Sequence, residues 1–263
     1  MPPIALTIAG SDPSGGAGIQ ADLKTFHQFG VYGEAVITLV TAQNSHSVLR
    51  VEPLAPDLVS EQIEAVISDM PPAAAKTGAL GSAEIVEAIA DLAARFTFPL
   101  VVDPVLISKH QTRLLPKEAE QALKEKLFPC AALVMPNIPE AEALTGIDIH
   151  GKEQMLVAAR KLFEMGAKAV LVKGGHLEGD PVDVLFDGRA AEYKSPRIDT
   201  PHTHGTGCAY SAAITACLAL GMPLRDAIPA ARRFVQSAIR SAPGLGSGSG
   251  PLNFFASTPK SSG

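Results

Sequence analysis

Short, continuously apolar runs alternate along the chain with longer stretches whose apolar positions are spaced for one face of a helix. Each apolar run ends in glycine or polar residues before the next amphipathic stretch begins. Continuous apolar strands joined by returning helices are typical of a parallel sheet covered on both faces. We therefore predict strands over 4–9, 36–40, 73–78, 100–102, 132–135 and 169–172, joined by helices over 18–30, 57–70, 82–96, 116–127 and 154–165 and by a short helix after Asn137.

The pattern changes towards the carboxyl terminus. Residues 183–194 predict a hairpin with Asp187-Gly188 at its turn. Two further helices are predicted over about 207–220 and 224–241, and the stretch from about 244 to 263 is expected to be partly loop or disordered tail. No internal repeat or linker divides the chain, so we expect a single α/β domain over 1–263.

Several polar side chains directly follow predicted strands. They are Asp103, Asn137, Glu140 and Lys173. Ligands of parallel α/β sheets bind at the carboxyl ends of the strands. We therefore expect these four side chains to lie at one edge of the sheet.

The loop that opens the helix at 207–220 is the strongest candidate for chemistry. Gly205 and Gly207 alternate there with Thr206 and Cys208, so that backbone N–H groups can converge on an anion at a helix N-terminus. A cysteine in the first turn of a helix is also expected to lose its proton easily. Together with the polar strand ends, this loop is typical of phosphoryl transfer, which needs a phosphate cradle, groups that organise Mg²⁺ and a base near the acceptor hydroxyl.

Two other glycine patterns near the amino terminus are weaker. Gly10 and Gly15 have the spacing of a Walker A loop, but Gly16 and Ala17 stand where that loop needs Lys and Ser or Thr, so we reject that interpretation. The stretch 16–21 matches the relaxed dinucleotide fingerprint, yet the acidic residue expected at the end of the next strand is missing. Two interpretations of the match are equally good. The glycines either form a tight turn between strand and helix, or they bind the dinucleotide of an NAD-dependent oxidoreductase.

Composition and charge exclude several classes of function. The chain has 22 basic and 27 acidic residues, a net charge of −5 and no clustered basic patch, so we expect no binding to nucleic acid. No apolar run approaches the length of a membrane span, and the amino terminus lacks a leader pattern, which predicts a cytoplasmic protein with no membrane contact. The three cysteines, Cys130, Cys208 and Cys217, form no CxxC pair and are expected to be reduced thiols.

Six stretches of the chain occur together and in this order in a known family: AGSDPSGGAGIQADLKT (9–25), TAQN (41–44), DPV (103–105), PNIPEA (136–141), KGGH (173–176) and HGTGC (204–208). They closely resemble the hydroxymethylpyrimidine/phosphomethylpyrimidine kinases of thiamine biosynthesis, in the ribokinase-like superfamily. The resemblance implies a three-layer α/β/α sandwich with a mostly parallel central sheet, and a homodimer. It also implies two ATP-dependent phosphorylations, first of 4-amino-5-hydroxymethyl-2-methylpyrimidine and then of its monophosphate, which gives the pyrophosphate.

The same resemblance implies roles on the phosphate side of the site. The backbone of Gly205, Thr206 and Gly207 would form the anion hole for the phosphoryl group in transfer. Cys208 would be the general base, with a pKa lowered towards neutrality at the helix N-terminus. Lys173 would neutralise phosphate charge. Asn137 and Glu140 would organise Mg²⁺ and the ATP phosphates, and Asp103 would support the metal or a monovalent cation.

On the acceptor side, the resemblance implies that the side-chain amide of Gln43 pairs with the aminopyrimidine edge through both its donor and its acceptor. Gly10, Ala17, Asp22 and Val105 would shape that pocket. For Asp22, a solvated helix face is an equally good interpretation. Asp12 is interpreted as a residue that caps the turn at Gly10, and His204 and His176 either as loop residues bonded to backbone or as part of the site.

Two departures from the family pattern leave alternatives open. Many relatives carry Met at the position of Ala79, over the pyrimidine ring, so a pyridoxal kinase is the nearest alternative function. His110 and Gln111 replace the usual Ser-Gly of a mobile flap, which bears on flap closure, although Lys109 would still reach the monophosphate of the substrate. A non-catalytic pyrimidine-binding protein is an alternative of a different class, and the intact 205–208 loop argues against it.

Overall fold

A sheet of nine strands lies between two layers of helices in the part of the chain that the computed structural model describes, residues 1–109 and 111–258. The strands are β1 (Ile4–Ser11), β2 (Tyr32–Gln43), β3 (Val48–Pro53), β4 (Ala74–Thr77), β5 (Leu100–Val102), β6 (Leu133–Val134), β7 (Val170–Val172), β8 (Val182–Phe186) and β9 (Ala190–Lys194). Their order across the sheet is β3-β2-β1-β4-β5-β6-β7-β8-β9.

Helices cover both faces of this sheet. They are α1 (Gly18–Gln28), α2 (Pro56–Asp69), α3 (Ala83–Ala93), α4 (Glu120–Ala122), α5 (Ile138–Thr145), α6 (Lys152–Glu164), α7 (Thr206–Ala219) and α8 (Leu224–Arg240). Successive residues of a strand point to opposite faces. Val102 accordingly lies in the core formed with α2, α3 and α6, whereas Val101 lies in the core formed with α7 and α8.

The centre of the sheet is parallel, as predicted. β2, β1, β4, β5, β6 and β7 pair in parallel, and only β3, β8 and β9 add antiparallel pairs at the edges of the described sheet. The predicted hairpin with Asp187-Gly188 at its turn is confirmed as β8 and β9. The carboxyl ends of the parallel strands therefore meet at one edge, which the start of α7 also approaches.

Strand β3 was not predicted, and β2 is longer than predicted. β3 has no buried residue and alternates apolar with polar side chains, so it lacks the continuous apolar run that marks the interior strands. β2 begins at Tyr32 and ends at Gln43, and its carboxyl-terminal part pairs with β3. Continuous apolar runs therefore predicted the interior strands of the sheet but not the edge strand β3.

The single helix predicted over 116–127 is wrong. The chain there forms a 3₁₀ turn (Lys117–Ala119), the short α4, a π-helical turn (Leu123–Leu127) and a second 3₁₀ turn (Phe128–Cys130). Pro129 has no N–H to continue an α-helical ladder, and its ring crowds the carbonyl four residues earlier. Wider and tighter turns replace the regular helix around it.

The segment after α8 returns to the core. Leu252, Phe254 and Ala256 are buried and pack in the cluster that includes α7 and α8. Residues 259–263 of the predicted tail lie outside the described residues. Among the described residues, no helix has both the length and the apolar character needed to cross a membrane.

Candidate active site

A cavity of about 800 Å³ opens at the carboxyl ends of the parallel strands. It takes in the loop after β1, the ends of β2 and β4, the segments after β5, β6 and β7, and the start of α7. Nearly all of the predicted site residues line it: Gly10, Ala17, Gln43, Ala79, Asp103, Val105, Lys109, Asn137, Glu140, Lys173, Gly205, Thr206, Gly207 and Cys208. The residues that the sequence analysis assigned to the site are thus brought together at the carboxyl ends of the strands. Asp22 is the exception.

The loop that leads into α7, residues 204–208, is named the anion loop. It leaves backbone amides open to the cavity. Gly205 is the N-cap residue and takes a left-handed conformation with φ of 80°, which favours glycine. The Thr206 amide donates to the Thr203 carbonyl at 3.3 Å. Within residues 1–109 and 111–258, the amides of Gly205, Gly207 and Cys208 have no acceptor. Unpaired N–H groups at a helix N-terminus are suited to bind an anion.

A buried ion pair stands beside this loop. Lys173 Nζ lies 2.7 Å from Asp103 Oδ1, and the Ser211 hydroxyl of α7 donates to Asp103 Oδ2 at 3.1 Å. A Cβ atom at Gly207 would lie 3.6 Å from Lys173 Nζ and 3.7 Å from Asp103 Oδ2. These are ordinary contact distances, so the start of α7 lies directly against the ammonium and carboxylate groups. Burial opposes the charge of Lys173, but Asp103 and Glu140 hold its pKa above the usual range.

Asn137 and Glu140 form the start of α5. The Asn137 side chain accepts from the Glu140 amide at 2.9 Å, and the Glu140 carboxylate accepts from the Asn137 amide at 2.8 Å, which is a capping box. Burial raises the pKa of Glu140 to about 7, against the attraction of Lys173 and with further repulsion from Asp103. The pair thus has a structural role in addition to facing the cavity.

The carboxylates of Asp103 and Glu140 fit a magnesium ion that is held largely by a ligand. Among the described residues, no group of three or more His, Cys, Asp or Glu side chains is arranged to hold a metal. Mg²⁺ needs no such cage, because it usually keeps several waters and binds one or two carboxylates together with substrate phosphates. A cation held by these carboxylates would offset both the burial and the repulsion from Asp103 that raise the pKa of Glu140.

Cys208 lies half-buried at the first turn of α7 and faces the cavity. Burial and the negative charges of Asp22 and Asp103 raise the pKa of its thiol to about 12, although Lys76 and a hydrogen bond from the Gly18 amide act in the opposite direction. The expectation of a thiol with a lowered pKa is therefore wrong for the ligand-free site. The helix N-terminus favours the thiolate, but desolvation and the two carboxylates outweigh it.

Asp22 does not line the cavity, contrary to prediction. Its side chain is fully buried under the pocket, where Oδ2 accepts from Lys76 Nζ at 2.8 Å and from the Thr7 hydroxyl at 2.6 Å. Lys76 is the residue that the sequence analysis missed: it lies in β4, is 0% exposed, and Asp22 holds its pKa above the usual range despite burial. A lysine inside the apolar run of β4 was the available signal.

The acceptor side of the cavity is built on close contacts between loops. A Cβ atom at Gly10 would lie 2.6 Å from Leu39 Cδ1 and 3.6 Å from the Ala79 methyl group, so Gly10 keeps this wall open. Gln43 lies at the end of β2, where the register of the β2–β3 ladder shifts. The segment between β1 and α1, residues 12–17, is named the glycine loop. Asp12 caps it, as predicted, by accepting from the Ser14 and Ala17 amides.

A second contact was not predicted. His204 Nε2 lies 2.8 Å from Asp12 Oδ2, which joins the glycine loop after β1 to the anion loop before α7. Burial alone would raise the pKa of Asp12, yet the hydrogen bonds from His204 and Ser14 lower it to about 2. Residues 192 positions apart in sequence gave no pattern from which this contact could be found.

The described residues of the flap segment, 107–109 and 111–113, lie beside the cavity, and Lys109 and Gln111 line it. Lys109 Nζ donates to the Thr203 hydroxyl, and Ile107 and Arg113 form an antiparallel bridge at the base of the flap. Gln111 has φ of 62°, the left-handed region that favours glycine. His110 lies outside the described residues. The replacement of glycine by Gln111 therefore places a side chain in a strained backbone conformation.

Comparison with known proteins agrees with this geometry. The family model for phosphomethylpyrimidine kinase matches residues 12–253. The hydroxymethylpyrimidine/phosphomethylpyrimidine kinase of Haemophilus influenzae is 48% identical over 258 residues, which cover 95% of this chain and 96% of that protein. The thiamine biosynthesis bifunctional protein ThiED of Geobacter sulfurreducens is 51% identical over 251 residues, which cover 94% of this chain and 51% of that protein. The chain thus spans about half the length of the bifunctional relative.

Solved structures show the same fold. The pyridoxal kinase of Bacillus subtilis, in complex with ADP, superimposes with a TM-score of 0.90 at 40% identity and covers 97% of this chain and 98% of its own. The likeness extends over the whole sheet and both helical layers. It identifies the molecule as an α/β sandwich of the type found in small-molecule kinases.

Proposed function

Because the chain belongs to the phosphomethylpyrimidine kinase family, we propose that it is an ATP-dependent kinase of thiamine biosynthesis with one ribokinase-like catalytic domain. It phosphorylates the hydroxymethyl group of 4-amino-5-hydroxymethyl-2-methylpyrimidine and then the monophosphate, which gives the pyrophosphate. The observation that carries the proposal is the meeting of the open amides of Gly205, Gly207 and Cys208 with the ammonium group of Lys173, in a cavity whose acceptor side carries Gln43.

On the acceptor side, the pyrimidine ring lies between the wall formed by Gly10 and Ala79 and the segment around Val105. The carboxamide of Gln43 pairs with the aminopyrimidine edge, because it offers a donor and an acceptor side by side. Ala17 closes the pocket from the loop after β1. This orientation directs the hydroxymethyl group towards Cys208 and the anion loop.

Phosphoryl transfer then needs little covalent chemistry from the protein. The oxygen of the hydroxymethyl group attacks the γ-phosphorus, the bond from that phosphorus to the bridging oxygen breaks, and ADP carries away the electron pair. The amides of Gly205 and Gly207 and the ammonium group of Lys173 stabilise the negative charge on the phosphoryl oxygens. Cys208 first loses its thiol proton to solvent, which Lys76 below the site favours against burial. The resulting thiolate then accepts the hydroxyl proton late in the reaction.

Asp103 and Glu140 would hold Mg²⁺ through carboxylate oxygens and water, with Asn137 fixing the start of α5, and Asp103 would also suit a monovalent cation. The bound Mg²⁺ supplies charge neutralisation between the phosphates. The capping box fixes the Glu140 carboxylate at the start of α5.

Measuring ADP release with a coupled assay tests the function. The pyrimidine alcohol and its monophosphate are supplied separately, each with ATP and Mg²⁺. Turnover of both substrates is expected. ADP release with neither of them would contradict the proposal, and binding of the pyrimidine without ADP release would point to a non-catalytic binding protein.

Pyridoxal is the second candidate acceptor. Ala79 leaves the ring wall open next to Gly10, and the pyridoxal kinase of Bacillus subtilis shares the fold at a TM-score of 0.90. The same assay with pyridoxal separates the two functions. Turnover of pyridoxal without turnover of the pyrimidine would replace the first candidate by the second.

We further propose that the protein is a cytoplasmic homodimer. Large exposed hydrophobic side chains include Val40 on β2, Leu49 on the adjacent strand β3 and Leu58 on α2, with Tyr32 at the opposite end of β2. Its use of ATP, and free thiols at all three cysteines, support a cytoplasmic location. Light scattering after size-exclusion chromatography should give twice the monomer mass. A Leu49→Asp variant should then shift towards the monomer, and a monomeric parent protein would contradict the proposed dimer.

A further inference from the structure

We propose that the buried Asp12–His204 pair is a positioning device that holds the glycine loop of the acceptor pocket and the anion loop in one fixed alignment. The inference rests on the proposed function and adds to it two residues of the cavity lining, which act through the loops that they join. His204 Nε2 and Asp12 Oδ2 lie 2.8 Å apart, and their side chains are 8% and 1% exposed. The bond therefore joins two loops where water competes little for either group.

Asp12 controls the position of the acceptor loop. Its Oδ1 accepts from the Ser14 amide at 2.8 Å, and its Oδ2 accepts from the Ala17 amide at 2.9 Å in addition to His204. The Asp12 amide in turn donates to Gln20 Oε1 at 2.9 Å, at the start of α1. A displacement of the Asp12 carboxylate would therefore move Ala17, which lines the acceptor pocket.

His204 has the corresponding place on the anion loop, directly before Gly205. Its amide donates to the Gly250 carbonyl at 3.1 Å, so the backbone of His204 is fixed from outside the cavity. The imidazole then extends from that fixed point to Asp12. Any change in the position of His204 passes directly to Gly205, because the two residues are adjacent.

The two loops also touch with no side chain between them. A Cβ atom at Gly205 would lie 1.8 Å from the Gly16 carbonyl oxygen, and one at Gly16 would lie 2.4 Å from His204 Cδ2. The first distance cannot be met without moving a loop, and the second cannot be met without moving a loop or the His204 ring. The contact thus has a single close arrangement, which the Asp12–His204 bond holds together.

The alignment matters because the reaction joins groups that the two loops hold separately. The acceptor oxygen is positioned by the pocket that includes Ala17, whereas the phosphoryl group is positioned by Gly205 and Gly207. A misplacement of about 1 Å can lower the rate about 100-fold. Loss of the bond should therefore lower kcat and leave the affinity for each separate substrate nearly unchanged.

The test compares His204→Ala with His204→Gln, since glutamine keeps an N–H donor that can reach Asp12. We expect His204→Ala to lower kcat for the pyrimidine alcohol about 10- to 100-fold, with KM for ATP changed less than about threefold. His204→Gln should recover most of that loss. The His202→Ala variant is the matched control, because His202 is a nearby histidine that does not line the cavity, and its kcat should stay within about twofold of the parent.

A second readout is the ratio of ADP released to pyrimidine phosphorylated. Misaligned loops still bind the phosphoryl group but present the acceptor poorly, so water competes better and the ratio should rise above one in His204→Ala. If that variant does not fold, Gly16→Ala serves instead, because it keeps both residues while its methyl group displaces the His204 ring or the loop that carries it. It should show the same loss of kcat and the same rise in the ratio.

The outcomes separate this inference from the proposed function. A parent protein without turnover of the pyrimidine contradicts the proposed function itself. An active parent combined with His204→Ala or Gly16→Ala variants of normal kcat overturns the positioning role alone. A His204→Gln variant as impaired as His204→Ala, with its melting temperature unchanged, also overturns it, because the role requires only a donor to Asp12.

Discussion

Lys76 Nζ lies 2.8 Å from Asp22 Oδ2, and neither side chain is exposed to solvent. The pair lies under the pocket floor: a Cβ atom at Gly78, which lines the cavity, would be 3.5 Å from Lys76 Nζ. It is also close enough to Cys208 for the lysine to lower, and the aspartate to raise, the pKa of the thiol. The Lys76–Asp22 pair is therefore expected to affect both the stability of the fold and the pKa of Cys208.

We predict that Lys76→Met destabilises the protein by about 3 to 5 kcal/mol, because it leaves the Asp22 carboxylate buried without its partner. Urea unfolding measures the loss. The double variant Lys76→Met with Asp22→Leu should recover much of it, since both buried charges are then removed. Lys126→Met is the control: Lys126 pairs with Glu87 at 2.8 Å, but both side chains are nearly half exposed, so its loss should destabilise the protein far less than the loss of Lys76.

Cys208 is predicted to act in turnover and not in nucleotide binding. Cys208→Ala should lower kcat about 100-fold or more, while binding of a non-hydrolysable ATP analogue changes little. Cys217→Ala removes a thiol from the core on the same helix and should affect stability but not the chemical step. A Cys208→Ala variant with normal turnover would show that another group takes the proton.

The raised pKa of Cys208 gives a separate prediction. Because the thiol of the ligand-free protein has a pKa of about 12, its alkylation by iodoacetamide should rise about tenfold per pH unit between pH 7 and 10. The measurement uses a variant in which Cys130 and Cys217 are replaced by alanine. A rate that reaches a plateau near pH 7 would show instead that the helix N-terminus outweighs burial.

The parts of the site that follow from local rules could be predicted. Asp103 and Lys173 follow buried strands, and parallel strands bring such residues to one edge; their ammonium and carboxylate groups lie 2.7 Å apart. No comparable rule predicts which distant segments of the chain will contact each other. The Asp12–His204 bond depends on how the loop after β1 meets the loop before α7. The pKa of Cys208 depends on burial and on Asp22, which the sequence placed in the pocket but which the fold buries beneath it.

Ala79→Met should narrow the acceptor pocket. The added side chain would occupy space beside Gly10 and Leu39, where the Ala79 methyl group leaves room. A larger pyridine ring loses more from this narrowing than the pyrimidine does, so kcat/KM for pyridoxal should fall about tenfold relative to that for the pyrimidine alcohol. The two substrates measured on the same variant control for any general loss of activity. Equal loss for both would show that Ala79 does not set the preference.

Glu34 predicts a dependence of stability on pH. Its carboxylate lies buried in β2, and within the described residues neither oxygen has a hydrogen-bond partner. Burial, with repulsion from Asp69, raises the pKa of Glu34 from 4.5 to about 7. The folded state therefore favours the protonated form, and this contribution is fully present below pH 4.5 and is lost as the pH rises through about 7.

Glu34→Gln keeps the shape of the side chain without the ionisation. The variant should be more stable than the parent by about 1 to 2 kcal/mol at pH 8, where the parent must hold a buried carboxylate, and the difference should shrink towards pH 5. Urea unfolding at both pH values measures it. Glu52→Gln is the matched control, since Glu52 is exposed on β3 and pairs with the exposed Arg50. A gain for Glu34→Gln that is the same at pH 5 and pH 8 would mean that the amide stabilises through a new hydrogen bond and not through the loss of charge.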